Sequence, residues 1–189
     1  MQTYCFTDET VLGGAYWPQV ETCYSKTWAG YKMLPHMHDR VEIMYVLKGR
    51  CRIHVFTHRM EEKTIRLIGK REITLGVGDF ILLDQGVLHA LEVPETSYMA
   101  NVEFAIFSDQ EGLLSLKRLY EVSESFRGFK ALGQKIVTGT DQDGLVYQAL
   151  ARVIESFQNA GVGKAQRDIH MGDLLLILSQ HVEAASEKD

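Results

Sequence analysis

Gly30-Tyr31-Lys32-Met33-Leu34-Pro35-His36-Met37-His38-Asp39-Arg40-Val41-Glu42-Ile43-Met44-Tyr45-Val46-Leu47-Lys48-Gly49 is the stretch whose reading decides the fold. His36 and His38 are two apart, so on an extended chain their rings leave the same side. Glu42 shares that parity, and the alternation continues through Met44 and Val46. Two imidazoles and a carboxylate therefore stand on one wall of a sheet beside apolar residues. The glycines at both ends mark turns.

A second stretch answers it. Gly78-Asp79 opens the short apolar run Phe80-Ile81-Leu82-Leu83, and Asp84-Gln85-Gly86 closes it, with turn chemistry on both sides of a strand. His89 then falls at the start of the next strand. If the two stretches face each other across a barrel, His36, His38, Glu42 and His89 converge. Three neutral imidazoles and one carboxylate suit a divalent transition metal (Zn, Mn, Fe or Ni) with positions left open. In a metal-free pocket the same four side chains would hydrogen-bond an effector's hydroxyls. A metal-bound histidine usually gives its other nitrogen to an acceptor, and the sequence assigns none.

These residues resemble a family. Gly30-x5-His36-x-His38-x3-Glu42-x6-Gly49 has the spacing of the first cupin motif, and Gly78-x5-Asp84-x-Gly86-x2-His89 that of the second. Two positions depart: Asp84 stands where the cupin pattern has proline, and Val93 where it has asparagine.

The length of 189 residues allows one domain, or a small domain with an appendage, and the 46% apolar fraction is ample for a core. Net charge is −5 with no basic run, which excludes a DNA-binding surface on these residues. Cys5, Cys23 and Cys51 are scattered and odd in number, arguing against a disulfide framework and for a reducing compartment. The N-terminus lacks the basic start and apolar core of a signal peptide. The longest apolar run, Leu174 to Leu178, is too short to span a membrane. A soluble cytoplasmic protein with no membrane partner is expected.

Taken in order, residues 1–29 form an N-terminal arm rich in aromatics (Tyr4, Phe6, Tyr16, Trp17, Tyr24, Trp28) without a clear period. Such an arm packs on the barrel as an edge cover or folds over a pocket mouth. Residues 30–107 read as the barrel: strands at Glu42–Leu47, Arg50–Phe56, Phe80–Leu83, Leu88–Val93 and Tyr98–Phe107. A polar connection is expected over 57–63, and a hairpin about Gly69-Lys70 between Thr64–Ile68 and Glu72–Leu75. The fold class is mainly β with α, an antiparallel jelly-roll barrel followed by helices over 108–189. Ser108-Asp109-Gln110-Glu111 reads as a capping box. Thr140 starts a second helix whose stripe is Val146, Ala149, Leu150, Val153, Ile154 and Phe157. A third runs from Lys164 to about Ala185, with Met171, Leu174, Leu175, Leu178, Val182 and Ala185 on one face and Leu176 and Ile177 apolar too. A helix apolar nearly all round is buried on two sides. The second side is expected to be a partner subunit, with Leu174, Leu175, Leu178 and Val182 as the dimerisation residues. Leu175→Glu and Leu178→Glu are then expected to weaken association. Ser186-Glu187-Lys188-Asp189 reads as the start of a polar linker.

This order of arm, barrel and leucine-rich helices resembles the N-terminal effector-binding and dimerisation domain of AraC-type transcription regulators over residues 25–185. The resemblance implies a small effector, often a sugar, held by arm and barrel, a homodimer made by the trailing helices, and a C-terminal helix-turn-helix domain that binds DNA. No helix-turn-helix pattern follows Ala185, so a chain cut short or a stand-alone sensor is expected, with DNA reached only through a missing C-terminal domain.

Other candidates have two readings each. Arg40 shares parity with His38 and Glu42 and would hold an anionic or hydroxyl-rich effector, or sit as a solvated turn residue. Asn101 and Glu103 are pocket groups if their face is the interior, but apolar Val102, Phe104 and Ile106 compete for that face. Trp17, Tyr24 and Trp28 would stack on a sugar ring or simply pack. His54, His58, His170 and His181 read as surface residues, and Asp84 as a turn residue. The first expectation is therefore the sensor domain of a regulator. The alternative is a metal-dependent cupin enzyme, a dioxygenase or isomerase.

Overall fold

The computed structural model describes residues 3–61 and 64–183. Ten strands and four helices follow in chain order: β1 (Tyr16–Trp28), β2 (Tyr31–Lys32), β3 (Val41–Lys48), β4 (Cys51–Glu61), β5 (Thr64–Leu75), β6 (Asp79–Leu83), β7 (His89–Val93), β8 (Ser97–Ser108), α1 (Leu116–Val122), α2 (Glu124–Ala131), β9 (Ile136–Thr140), α3 (Leu145–Gln158), α4 (Lys164–His181) and β10 (Val182–Glu183). The strands make two antiparallel sheets, ordered β1-β8-β3-β6-β9-β10 and β2-β7-β4-β5. The helices follow the barrel strands, as the expected mainly-β fold class with trailing helices requires.

The long sheet is covered on both faces, which explains why its strands read as nearly unbroken apolar runs. From β3, β6 and β8, the side chains Val41, Ile43, Tyr45, Phe80, Leu82, Val102, Phe104 and Ile106 join the helices in one core. The alternate residues Met44, Val46, Ile81, Leu83 and Met99 face the short sheet and meet Cys51, Ile53, Leu91 and Val93 in a second core. The outer face of the short sheet is polar, so β4 alternates as Cys51, Ile53, Val55 against Arg52 and His54. Gly49 makes the turn from β3 to β4 with φ +81 and lies so close to Ser97 that no Cβ fits.

Several expectations change. The aromatic arm is largely strand: β1 pairs with β8 along its whole length, with a bulge between Val20 and Thr22. Residues 57–61 continue β4, and Thr64–Leu75 is one strand, with Gly69 paired to Thr57 at a register shift. The chain therefore reverses between Glu61 and Thr64, not at Gly69. Ser108 ends β8, and the cap of the first helix is Ser115, whose side chain accepts from the Arg118 amide. α2 and β9 had no clear periodic signature. Thr140 ends β9; the neighbouring Asp141 caps α3, its carboxylate accepting from the Val146 and Tyr147 amides and from the Tyr45 hydroxyl. Ala185 and the linker at 186–189 lie outside the described residues.

The expected dimerisation residues also need correction. Leu174, Leu175 and Leu178 are 0%, 0% and 1% exposed in the single chain, because α4 lays that face on α3 and the long sheet. Val182 leaves the helix and pairs with Gly139 in β9. These side chains are already spent on the chain's own core. The opposite face of α4 carries Ile169, 46% exposed, and half-buried Leu176 and Ile177. All three cysteines are free thiols. No described helix is long and apolar enough to cross a membrane.

Candidate metal and ligand site

The two motifs meet through backbone. The amide of His36 donates to the His89 carbonyl at 2.9 Å, and the amide of His89 donates back at 2.9 Å. A mutually bonded antiparallel pair places both side chains on one face, and the two rings lie 4.4 Å apart between centroids. Gly86, with φ +75, turns the chain so that its amide donates to the His38 carbonyl at 2.9 Å. Glu42 enters from β3, opposite Leu83 on β6 and Glu103 on β8.

The ring nitrogens have divided roles. Nδ1 of His38 faces the Arg40 carbonyl at 3.0 Å, Nδ1 of His89 the Val87 carbonyl at 2.9 Å, and Nδ1 of His36 the Leu34 carbonyl at 3.3 Å. A carbonyl only accepts, so a ring that is neutral in such a contact carries its proton on Nδ1 and keeps its Nε2 lone pair. The metal-ligating atoms of the three histidines lie within 4.8 Å of one another. Nε2 of His89 and His38 stand 3.1 and 3.4 Å from Glu42 Oε2. Lone pair against carboxylate is repulsive unless a cation, either a proton or a metal ion, lies between them.

Burial acts to raise the Glu42 carboxyl, but hydrogen bonds and charge from His38 and His89 outweigh it and hold it down at about 2. His38 is raised, chiefly by its hydrogen bond to Glu42. His36 is lowered, chiefly by burial and then by the charge of His89. The residues fit a divalent metal: three oriented neutral imidazoles, one ionised carboxylate, and backbone carbonyls as the outer acceptors.

Beside this cluster, the barrel pocket is lined by Tyr24, Trp28, Met33, Met44, Leu91, Met99 and Asn101, with Glu42 and His89 at one end. Asn101 faces inward, so the interior parity on β8 belongs to Asn101 and Glu103. Val102, Phe104 and Ile106 are not solvent-driven competitors; they face the helices. Asn101 Nδ2 donates to Glu42 Oε1 at 2.9 Å and to the Tyr24 hydroxyl at 3.0 Å. Arg40 lies between Glu103, at 2.8 Å, and Glu21, at 2.9 Å, and has its charge matched.

Trp17 does not belong to the pocket. It is 0% exposed on the helix side of the long sheet, near Gly172 of α4. His54 is not a surface residue; Glu72 and Glu92 cover it, and it is 5% exposed. Asp84 is more than a turn residue. At 1% exposure, it accepts from the amides of Phe6 and Thr7, the Thr7 hydroxyl and the Gln85 amide. Lys130 donates to the Phe6 carbonyl. The only sequence signal for that clamp was acid where the motif has proline.

With this fold and site in view, the comparisons place the chain. The model of the AraC-like ligand binding domain matches residues 18–175, and the chain belongs to that family. No curated protein matches it. Among solved structures it is similar to a cupin-2 domain protein from Shewanella frigidimarina (22% identity, 45% of this chain and 76% of that one, TM-score 0.33). It is similar also to YhaK from Escherichia coli (11% identity, 76% and 53%, TM-score 0.41). A third is an oxalate decarboxylase variant from Bacillus subtilis (16% identity, 55% and 28%, TM-score 0.34).

Proposed function

We propose that this chain is a small-molecule sensor, the effector-binding unit of a transcription regulator, with a divalent transition metal held by His36, His38, His89 and Glu42. The observation that carries the metal is the convergence of the His36, His38 and His89 ligand atoms within 4.8 Å of one another, with Nε2 of His38 and of His89 at 3.4 and 3.1 Å from Glu42 Oε2. A bound metal would supply a Lewis acid at the end of the pocket. The chain's own residues hold and orient: Asn101 fixes Glu42, and Arg40 joins β1 to β8 through Glu21 and Glu103. Regulation is then a shift between two states for which the effector has different affinity. DNA binding is proposed to reside outside these residues.

The homodimer is part of this reading, moved to the outer face of α4. Ile169 and Leu176, seven residues apart, share the side of α4 away from the buried Leu174, Leu175 and Leu178, and half-buried Ile177 flanks them. Cytoplasmic residence goes with the regulator role.

Elemental analysis of the purified protein, with reloading by Zn, Mn, Fe or Ni, tests the metal. One equivalent in the native chain and none in His89→Ala supports it. Equal metal in both removes it. The enzyme alternative uses the same four ligands, because a complete set beside a pocket also serves a dioxygenase or isomerase. Saturable effector binding without product supports the sensor; oxygen uptake or sugar isomerisation by the metal-loaded protein supports the enzyme.

A further inference from the structure

The hydrogen bonds in the barrel pocket fix its polar character. Glu42 Oε1 only accepts, so the Asn101 amide must turn its NH2 toward Glu42. That orientation leaves Asn101 Oδ1 buried without a partner among the described residues, on a side chain only 5% exposed. The Tyr24 hydroxyl accepts from the same NH2, which leaves its own proton to donate. The pocket therefore offers one free acceptor and one free donor close together. A single alcohol or phenol hydroxyl satisfies both.

The rest of the wall is apolar and soft: Trp28, Met33, Met44, Leu91 and Met99. The space as it stands is about 20 Å³, room for roughly one water. Methionines re-pack readily around an incoming group. Trp28 is half-buried at the end of β1, in a line of rings with Tyr24 at 6.5 Å and Tyr31 at 4.4 Å. Apart from Glu42 and His89 at one end, the wall offers only this donor–acceptor pair, and most hydroxyls around a sugar ring would lose their bonds to water there. Glu21 and Glu103 already match the charge of Arg40, so it adds little attraction for an anion.

We infer that the barrel's ligand is an apolar or aromatic molecule with a single hydroxyl end, seated on Tyr24 and Asn101, and not a sugar. This rests on the reading of the barrel as the ligand site. The test titrates the zinc-loaded chain with phenol, toluene and glucose, reading Trp28 fluorescence at an excitation that phenol does not absorb. Trp28→Phe serves as the control, because Trp17 lies on the far side of the sheet. Phenol is expected to quench saturably, with the change lost in Trp28→Phe. Tyr24→Phe, checked for an unchanged melting temperature, is expected to weaken phenol about tenfold and toluene by less than about twofold. Glucose is expected to do nothing. Glucose binding that weakens in Tyr24→Phe overturns the ligand class and leaves the barrel reading standing. Phenol affinity unchanged in Tyr24→Phe overturns the role of the polar pair. No response to any of the three overturns both the class and the barrel reading.

Discussion

The two faces of the long sheet are built from the same strands and behave as opposites. The helix face carries Phe6, Trp17, Ile43, Phe80, Phe104, Phe126, Leu174 and Leu175 in a sealed core. The barrel face carries Met44, Met99, Glu42 and Asn101 and looks onto a pocket and the three histidines held across from it by β7 and the segment before β3. Large aromatic and leucine side chains fix one packing, whereas buried polar groups without partners cost stability and persist where a ligand can satisfy them. One face holds the protein together and the other is available for chemistry.

This contrast can be broken in graded ways. Leu175→Glu places a charge in the sealed face and is expected to cost about 4 kcal/mol or more, read as loss of cooperative unfolding in urea. An intact fold with weaker self-association would restore Leu175 to a subunit interface. On the other face, His89→Ala is expected to cost roughly 100-fold or more in metal affinity, within the range for losing a charge-matched ligand. The metal-free variant should stay within about 1 kcal/mol of the metal-free native chain, since it also relieves crowding. Calorimetric titration beside urea unfolding checks both halves, and equal losses on the two would erase the contrast.

Asp84→Ala leaves the Phe6 and Thr7 amides without an acceptor and should destabilise by about 2 kcal/mol, with faster protease cleavage near Phe6. Unchanged cleavage would show that Phe6 packing alone holds the segment. The smallest expected effect is with pH. Burial pushes Lys130 down to about 8 from its ordinary 10.5, against the pull of Asp84, Asp8 and Glu9. The unfolded chain therefore binds more protons than the folded one between those values, so this group makes stability rise from about pH 8 toward 10.5. Below pH 8 its cost is constant. Cys23, raised to about 11 by burial, and Cys51, raised to about 12, act in the opposite direction above pH 9. The difference between native and Lys130→Met unfolding curves isolates the effect, expected at roughly 1–2 kcal/mol. Parallel curves would place Lys130 in water.

Parity and turn chemistry fix local geometry, and so His36, His38, Glu42 and His89 converge, Gly49 closes β3, and Gly78 and Gly86 bracket β6. Readings that need to know what covers a surface were less secure. Alternation cannot distinguish interior from solvent when both faces of a strand are buried, as at Asn101 and Val102 on β8. An apolar helix cannot say whether its second side meets its own sheet or another chain, and α4 meets its own sheet through Leu174, Leu175 and Leu178. Asp84 looked like a turn because its partners, Phe6 and Thr7, are 78 and 77 residues away.

Spacing in the sequence was enough for the convergence of His36, His38, Glu42 and His89, the antiparallel strands around them and the helices that follow, because spacing along a chain sets which side chains share a face. Only the tertiary structure decided the rest: carbonyls as the histidines' outer acceptors, Asn101 as the partner of Glu42, the inward burial of the leucines and the clamp at Asp84. Each of those joins segments far apart in the chain, and a contact of that kind has no local period to announce it.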